Sequence, residues 1–199
     1  MPIRSRKGLI GAAIVAGMFV WGGKRKSKTS DSGDGYGDNY SLEDLTVTNS
    51  SYDNNPDTNE QLENIQYTSR ILDEVAELIG YAPHVNSGYR STAVNDDVGG
   101  VSSSAHLSGL AVDLHFGKSS DEDSAEKLRV MELLYNSDLP IDQAIAYGIN
   151  SDGTNNPDGK SHIHIGFSKD GSGRKQYLYT VSGASKTFYT WNPSTFSNT

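Results

Sequence analysis

Cysteine is absent from the 199 residues. Disulfides, thiolate zinc sites, iron–sulfur clusters and a cysteine nucleophile are therefore excluded, and any metal must be held by histidine and carboxylates. Apolar residues are few, 35% of the chain, while glycine is frequent at 21 residues. That composition excludes a polytopic membrane protein and predicts long loops or a disordered stretch. The length suits one domain of ordinary size with tails. The first part of the chain also lacks acids altogether, and the rest is poor in bases relative to acids. Residues 1–28 hold seven Lys/Arg and no acid, and the remaining residues hold ten Lys/Arg against all 25 acids, a net −15. An acidic main domain repels phosphate, so nucleic acid is excluded as its partner.

The basic end has its own explanation. Arg4, Arg6 and Lys7 precede an uncharged run, Gly8–Gly23, with Trp21 near its end and Lys24, Arg25, Lys26 and Lys28 after it. Sixteen residues make about 24 Å of helix, slightly short for a bilayer core, but snorkelling Lys and Arg at both ends extend it. The reading is an uncleaved, single-pass transmembrane anchor over residues 1–28. A cleaved signal peptide is the rival, but no clear small-x-small cleavage site stands before the four basic residues of the second cluster. An interfacial or core helix is the third reading. Basic residues on both sides leave the orientation open.

Residues 29–57 are rich in Ser, Gly, Asp, Asn and Thr, which predicts a flexible polar linker. Order is expected from Thr58, where Thr58 and Gln61 form a capping-box pattern. Leu62, Ile65, Leu72, Val75, Ala76 and Ile79 then recur at helical spacing up to Gly80. A short strand is expected at Val85–Ser87 and a short helix from Ser91 to Val98. Leu110–Phe116 alternates, with Asp113 and His115 on the face opposite Val112 and Leu114. A second long helix spans 120–136, strands follow at 141–149 and 162–167, and 177–181 with 187–191 could make a hairpin. The pattern predicts α+β: a small, mainly antiparallel sheet with flanking helices. The domain is placed at 58–168 and a C-terminal extension at 169–199.

Two segments suggest chemistry. In S104-A-H106-L-S-G109-L-A111-V-D113 a histidine stands seven residues before an aspartate, with small residues between that permit a tight turn into a strand. In H162-I-H164-I-G-F167 both imidazoles fall on one strand face and the apolar residues on the other. Two histidines and a carboxylate make a catalytic zinc set with a fourth position open. The alternative is a group of hydrogen-bonded histidines on a half-exposed sheet.

These segments, with S87-G-Y-R90 and N95 upstream and D142-Q143 between them, resemble the zinc D-Ala-D-Ala carboxypeptidases, the M15-type peptidoglycan peptidases, close to the bacteriophage branch. The likeness runs from about Thr58 to Phe167. It implies a fold shared with lysostaphin-type peptidases and the hedgehog signalling domain, and one zinc ion per chain held by His106, Asp113 and His164. Arg90 matches the arginine that grips a substrate carboxylate or carbonyl oxygen, a task suited to its fork of donors; its plain alternative is a surface ion pair. Ser104 matches a substrate-binding serine near the metal, and its alternative is a turn residue capping backbone.

One position departs from the pattern. Many relatives carry an acid three residues before the last zinc histidine, as the general base, and here Ser161 stands there. His162 is the nearest substitute as the catalytic proton acceptor, with Asp158 or Asp142 as alternatives. His84 and His115 match no motif. The resemblance implies a membrane-anchored zinc peptidase facing the cell wall, hydrolysing peptidoglycan stem peptides as carboxypeptidase or endopeptidase, in bacteriophage lysis or infection. The other functions in view are a zinc-containing wall-binding module without catalysis and a virion structural module.

Overall fold

Thr58 starts the longest helix as its side-chain pattern requires. The Thr58 hydroxyl accepts the Gln61 N–H, the Gln61 side chain accepts the Thr58 N–H, and Gly80 ends the helix in the left-handed conformation. In this computed structural model, which describes residues 35–116, 124–156, 161–181 and 187–196, the helices are α1 (Leu42–Leu45), α2 (Asn59–Ile79), α3 (Thr92–Asp97) and α4 (Ser124–Tyr135). The strands are β1 (His84–Ser87), β2 (Ala111–His115), β3 (Ile141–Tyr147), β4 (Ile163–Phe167), β5 (Gln176–Thr180) and β6 (Tyr189–Thr190). They form one sheet in the order β1-β2-β4-β3-β5-β6, antiparallel except for the parallel β3–β5 pair. The expected mainly antiparallel α+β fold is what the chain adopts.

Alternation along the strands divides the sheet into two faces. Val85, Val112, Leu114, Ala144, Ala146, Ile163 and Ile165 enter one core with Ile65, Leu72, Val75 and Ile79 of α2 and Val130, Met131 and Leu134 of α4. Asp113 and His164, directly opposite one another in the β2–β4 register, project from the other face.

Two expected boundaries move. The flexible linker predicted over 29–57 does not extend to Asp57, because residues 36–57 pack on the domain. Tyr40 and Leu45 are buried in the core, and Ser41 and Asp44 close a reciprocal capping box on α1. The Tyr40 hydroxyl donates to the Pro83 carbonyl (2.9 Å), and the Ser69 hydroxyl of α2 donates to the Tyr40 carbonyl (2.6 Å). The C-terminal extension is likewise part of the sheet. β5 joins the parallel edge of β3, β6 pairs with β5, and Trp191 is buried. The predicted anchor, Asp158 and the tip of the β5–β6 connection lie outside the described residues. Among the described residues no helix is long and apolar enough to cross a membrane.

Candidate metal centre

His106 is presented by a single 3₁₀ turn, Ala105–Ser108, that ends at Gly109 with φ +78°. A side chain at Gly109 would be strained by that backbone, and its Cβ would stand 2.8 Å from Ile65 Cγ1. The end of such a turn leaves carbonyls without partners, and α2 supplies them. Gln61 Nε2 donates to Leu107 O (3.1 Å), Asn64 Nδ2 to Ser108 O (2.8 Å) and Thr68 Oγ1 to Gly109 O (2.8 Å). Residues 61, 64 and 68 lie on one helical stripe, so the polar face of α2 fixes the turn while its apolar face enters the core.

The S87-G-Y-R90 segment completes the support. The Gly88 carbonyl accepts a hydrogen bond from His106 Nδ1 (2.6 Å), which leaves Nε2 as the lone-pair nitrogen aimed into the site. A Cβ on Gly88 would collide with the Leu45 carbonyl. Tyr89 is buried, and its N–H donates to that same carbonyl (2.7 Å). Arg90 Nε donates to Ser87 Oγ (2.8 Å), and its Nη2 bonds to Asp113 Oδ2.

Asp113 Oδ1 is thereby the free edge of its carboxylate. It lies 2.9 Å from His164 Nδ1 and 3.3 Å from His106 Nε2, and these two nitrogens are 3.1 Å apart. A tetrahedral zinc ion with bonds of about 2.0–2.1 Å has its ligand atoms about 3.3–3.4 Å from one another. The three atoms form a triangle of nearly that size, with no other side chain needed to complete it. Among the described residues His106, Asp113 and His164 are also the one cluster of this kind. Burial pushes the His106 pKa down, against the pull of Asp113. Burial would raise the Asp113 pKa, but the neighbouring His106 and His164 outweigh it and hold the carboxyl well below its ordinary value. A neutral imidazole and an ionised carboxylate are the forms that bind zinc, so the residues fit the group.

The structure thus brings His106, Asp113, His164, Arg90 and His162 together. His162 Nε2 lies 3.9 Å from Asp113 Oδ1, and its ring stacks on Tyr147 with centroids 4.3 Å apart and planes 15° from parallel. Ser104 serves the backbone: its hydroxyl accepts the His106 N–H (3.4 Å) at the start of the turn. Asp142 is engaged elsewhere, paired with Arg174 (2.6 Å). His115 Nδ1 approaches the Ser161 carbonyl (3.3 Å), and His84 is exposed.

Two residues of the site escaped the sequence reading. Tyr147 ends β3 on the site face. Lys127 is fully buried on α4, where its Nζ donates to Tyr147 O (2.9 Å), Asn155 Oδ1 (3.0 Å) and Ser161 Oγ (2.8 Å). Ser161, in the place where an acid was expected, is therefore directed at α4. The signal for Lys127 was its position, since 127, 130, 131 and 134 form the apolar stripe of α4 and a charge on such a stripe needs partners.

The peptidase M15 family profile matches residues 38–136, a stretch that holds Arg90, Ser104, His106 and Asp113 and begins at residues bonded to Asp73 of α2. No curated protein matches the chain. The segment that matches is the one that builds the turn, the arginine clamp and two of the three candidate ligands, and the chain belongs to the M15 peptidase family.

Proposed function

We propose that the protein is a zinc-dependent peptidase that hydrolyses the peptide stems of peptidoglycan, with D-amino acids at or next to the scissile bond. The observation that carries the reading is the triangle of His106 Nε2, Asp113 Oδ1 and His164 Nδ1, with Arg90 and His162 beside it. Zinc bound there supplies a Lewis acid for a carbonyl oxygen and makes water nucleophilic near neutral pH. Asp113 is held to one-edge ligation because Arg90 takes its other oxygen. Arg90 Nη1 is the part of the fork left to grip a substrate oxygen, since Nε and Nη2 are bonded to Ser87 and Asp113. His162, fixed by its stack on Tyr147, takes a proton from the attacking water and returns one to the leaving amine. The phage-like branch and a wall-facing domain behind a membrane anchor at residues 1–28 belong to the same proposal.

One observation favours a second reading. Ser161 cannot act as a carboxylate base and is turned toward Lys127, which suits a zinc-stabilised module that holds wall peptides without cutting them. Incubation of purified muropeptides with the full chain, with and without chelator, separates the two by mass spectrometry. The peptidase yields new stem-peptide termini or free D-alanine only when zinc is present. Muropeptides retained but uncut at full zinc occupancy would establish the binding module instead.

A further inference from the structure

The catalytic half of the site is short of hydrogen-bond donors. Arg90 has two of its three side-chain nitrogens bonded to the protein, yet a carbonyl oxygen that gains negative charge is best stabilised by more than one preorganised donor. Tyr147 supplies the missing one by position. It is the last residue of β3, its N–H donates to His162 O (2.9 Å), and its carbonyl accepts from Lys127 Nζ (2.9 Å). Its backbone is thus pinned from both sides. Its ring lies flat on His162 and meets Phe188 edge-on, centroids 6.2 Å apart at 88°. Although Tyr147 and Asp113 belong to strands separated by β4, both project from the site face, and His162, on which the Tyr147 ring stacks, reaches to 3.9 Å from Asp113 Oδ1. Tyr147 is half-buried, and no hydrogen bond joins its hydroxyl to another described residue, so the donor is open to a ligand in the site.

We propose that the Tyr147 hydroxyl is a further catalytic group, which donates a hydrogen bond to the scissile carbonyl oxygen as that oxygen gains charge. The assignment rests on the peptidase reading above. The phenol keeps its proton throughout, and no bond to Tyr147 forms or breaks. Burial, first, and then the Asp113 carboxylate raise its pKa, with Arg90 opposing, so at neutral pH it remains a donor. The ring has a separate task, holding His162 in plane, and Tyr147→Phe removes the first task while leaving the second.

The test uses the zinc-loaded full chain and a phosphinate isostere of a stem peptide ending in D-Ala-D-Ala, whose tetrahedral anionic group stands where the carbonyl would be attacked. Calorimetric titration of wild type and Tyr147→Phe, at equal zinc content, is expected to show phosphinate binding weakened about 10²–10³-fold, the usual loss for one oxyanion donor. On the peptide substrate, kcat should fall by the same factor with KM nearly unchanged. If Tyr147→Phe binds the phosphinate as wild type does, the tyrosine assignment is overturned while the peptidase reading stands. If zinc-loaded wild type neither binds the phosphinate nor cleaves the peptide, the peptidase reading fails and the assignment falls with it.

Discussion

The His106–Asp113–Arg90 side of the site and the His162–Tyr147 side are held by different means. On the first side the contacts that hold the two ligands join residues of the recognisable motifs. Ser87 accepts from Arg90, Gly88 fixes the His106 tautomer, Arg90 clamps Asp113, and α2 ties the turn between them. On the second side the contacts come from residues outside those motifs. Tyr147 of β3 stacks on His162, and Lys127 of α4 binds both the Tyr147 carbonyl and the Ser161 hydroxyl. The first side has the ligand geometry that zinc chemistry dictates and little freedom to vary. On the proposed reading the second need only place a proton acceptor and a donor near the metal, which several arrangements satisfy. Departure from the family pattern at Ser161 falls on the second side.

The largest effect should come from breaking the rigid side. His106→Ala or Asp113→Ala removes one corner of the triangle, and zinc per chain, measured by plasma emission, should drop from one to a small fraction, with hydrolysis reduced to background. Breaking the other side should separate chemistry from metal binding. His162→Ala is expected to keep its zinc and lose about 10²–10⁴-fold in kcat, the usual share of general acid–base assistance. Adding Ser161→Glu to that variant should recover little, because the new carboxylate would meet Lys127 on the α4 side. Recovery of activity would show that residue 161 can reach the metal and would erase the proposed division of labour.

How much of this was legible in the sequence follows the same division. His106, Asp113, His164 and Arg90 were readable because their chemistry requires fixed residue types at fixed spacings within short segments. The helix 59–79 was readable because its cap, its apolar stripe and Gly80 agree locally. Tyr147 and Lys127 were not readable as site residues, since their roles exist only once β3, β4 and α4 meet. Residues 36–57 misled by composition. They are polar on average, but Tyr40 and Leu45 anchor them, and their polar groups are satisfied by α1 capping and by Ser69 and Asp73 of α2. Average polarity does not register two buried anchors. The C-terminal residues were readable as a hairpin but not as an edge of the main sheet, because strand pairing across a long separation leaves no local trace.

Two smaller effects sharpen the picture of the rigid side. Arg90→Lys keeps the charge but cannot bond Ser87 and Asp113 with one planar fork, so zinc affinity should fall about 10–100-fold, as for lost contacts behind a metal ligand. A competition titration with a chromogenic chelator measures it, and unchanged affinity would mean that the clamp on Asp113 is dispensable. Gly109→Ala should cost about 1–3 kcal/mol of folding stability from its left-handed backbone alone, read from denaturant midpoints. An unaffected midpoint would show that the turn relaxes away from Ile65.

The central claim is the ligand triangle, and a zinc-edge anomalous diffraction map of zinc-loaded crystals tests it most directly. The account predicts one strong peak per chain about 2.0–2.1 Å from His106 Nε2, His164 Nδ1 and an oxygen of Asp113, with Arg90 still bonded to the other Asp113 oxygen. A peak held by other residues, or none at these three side chains despite saturating zinc, would contradict it.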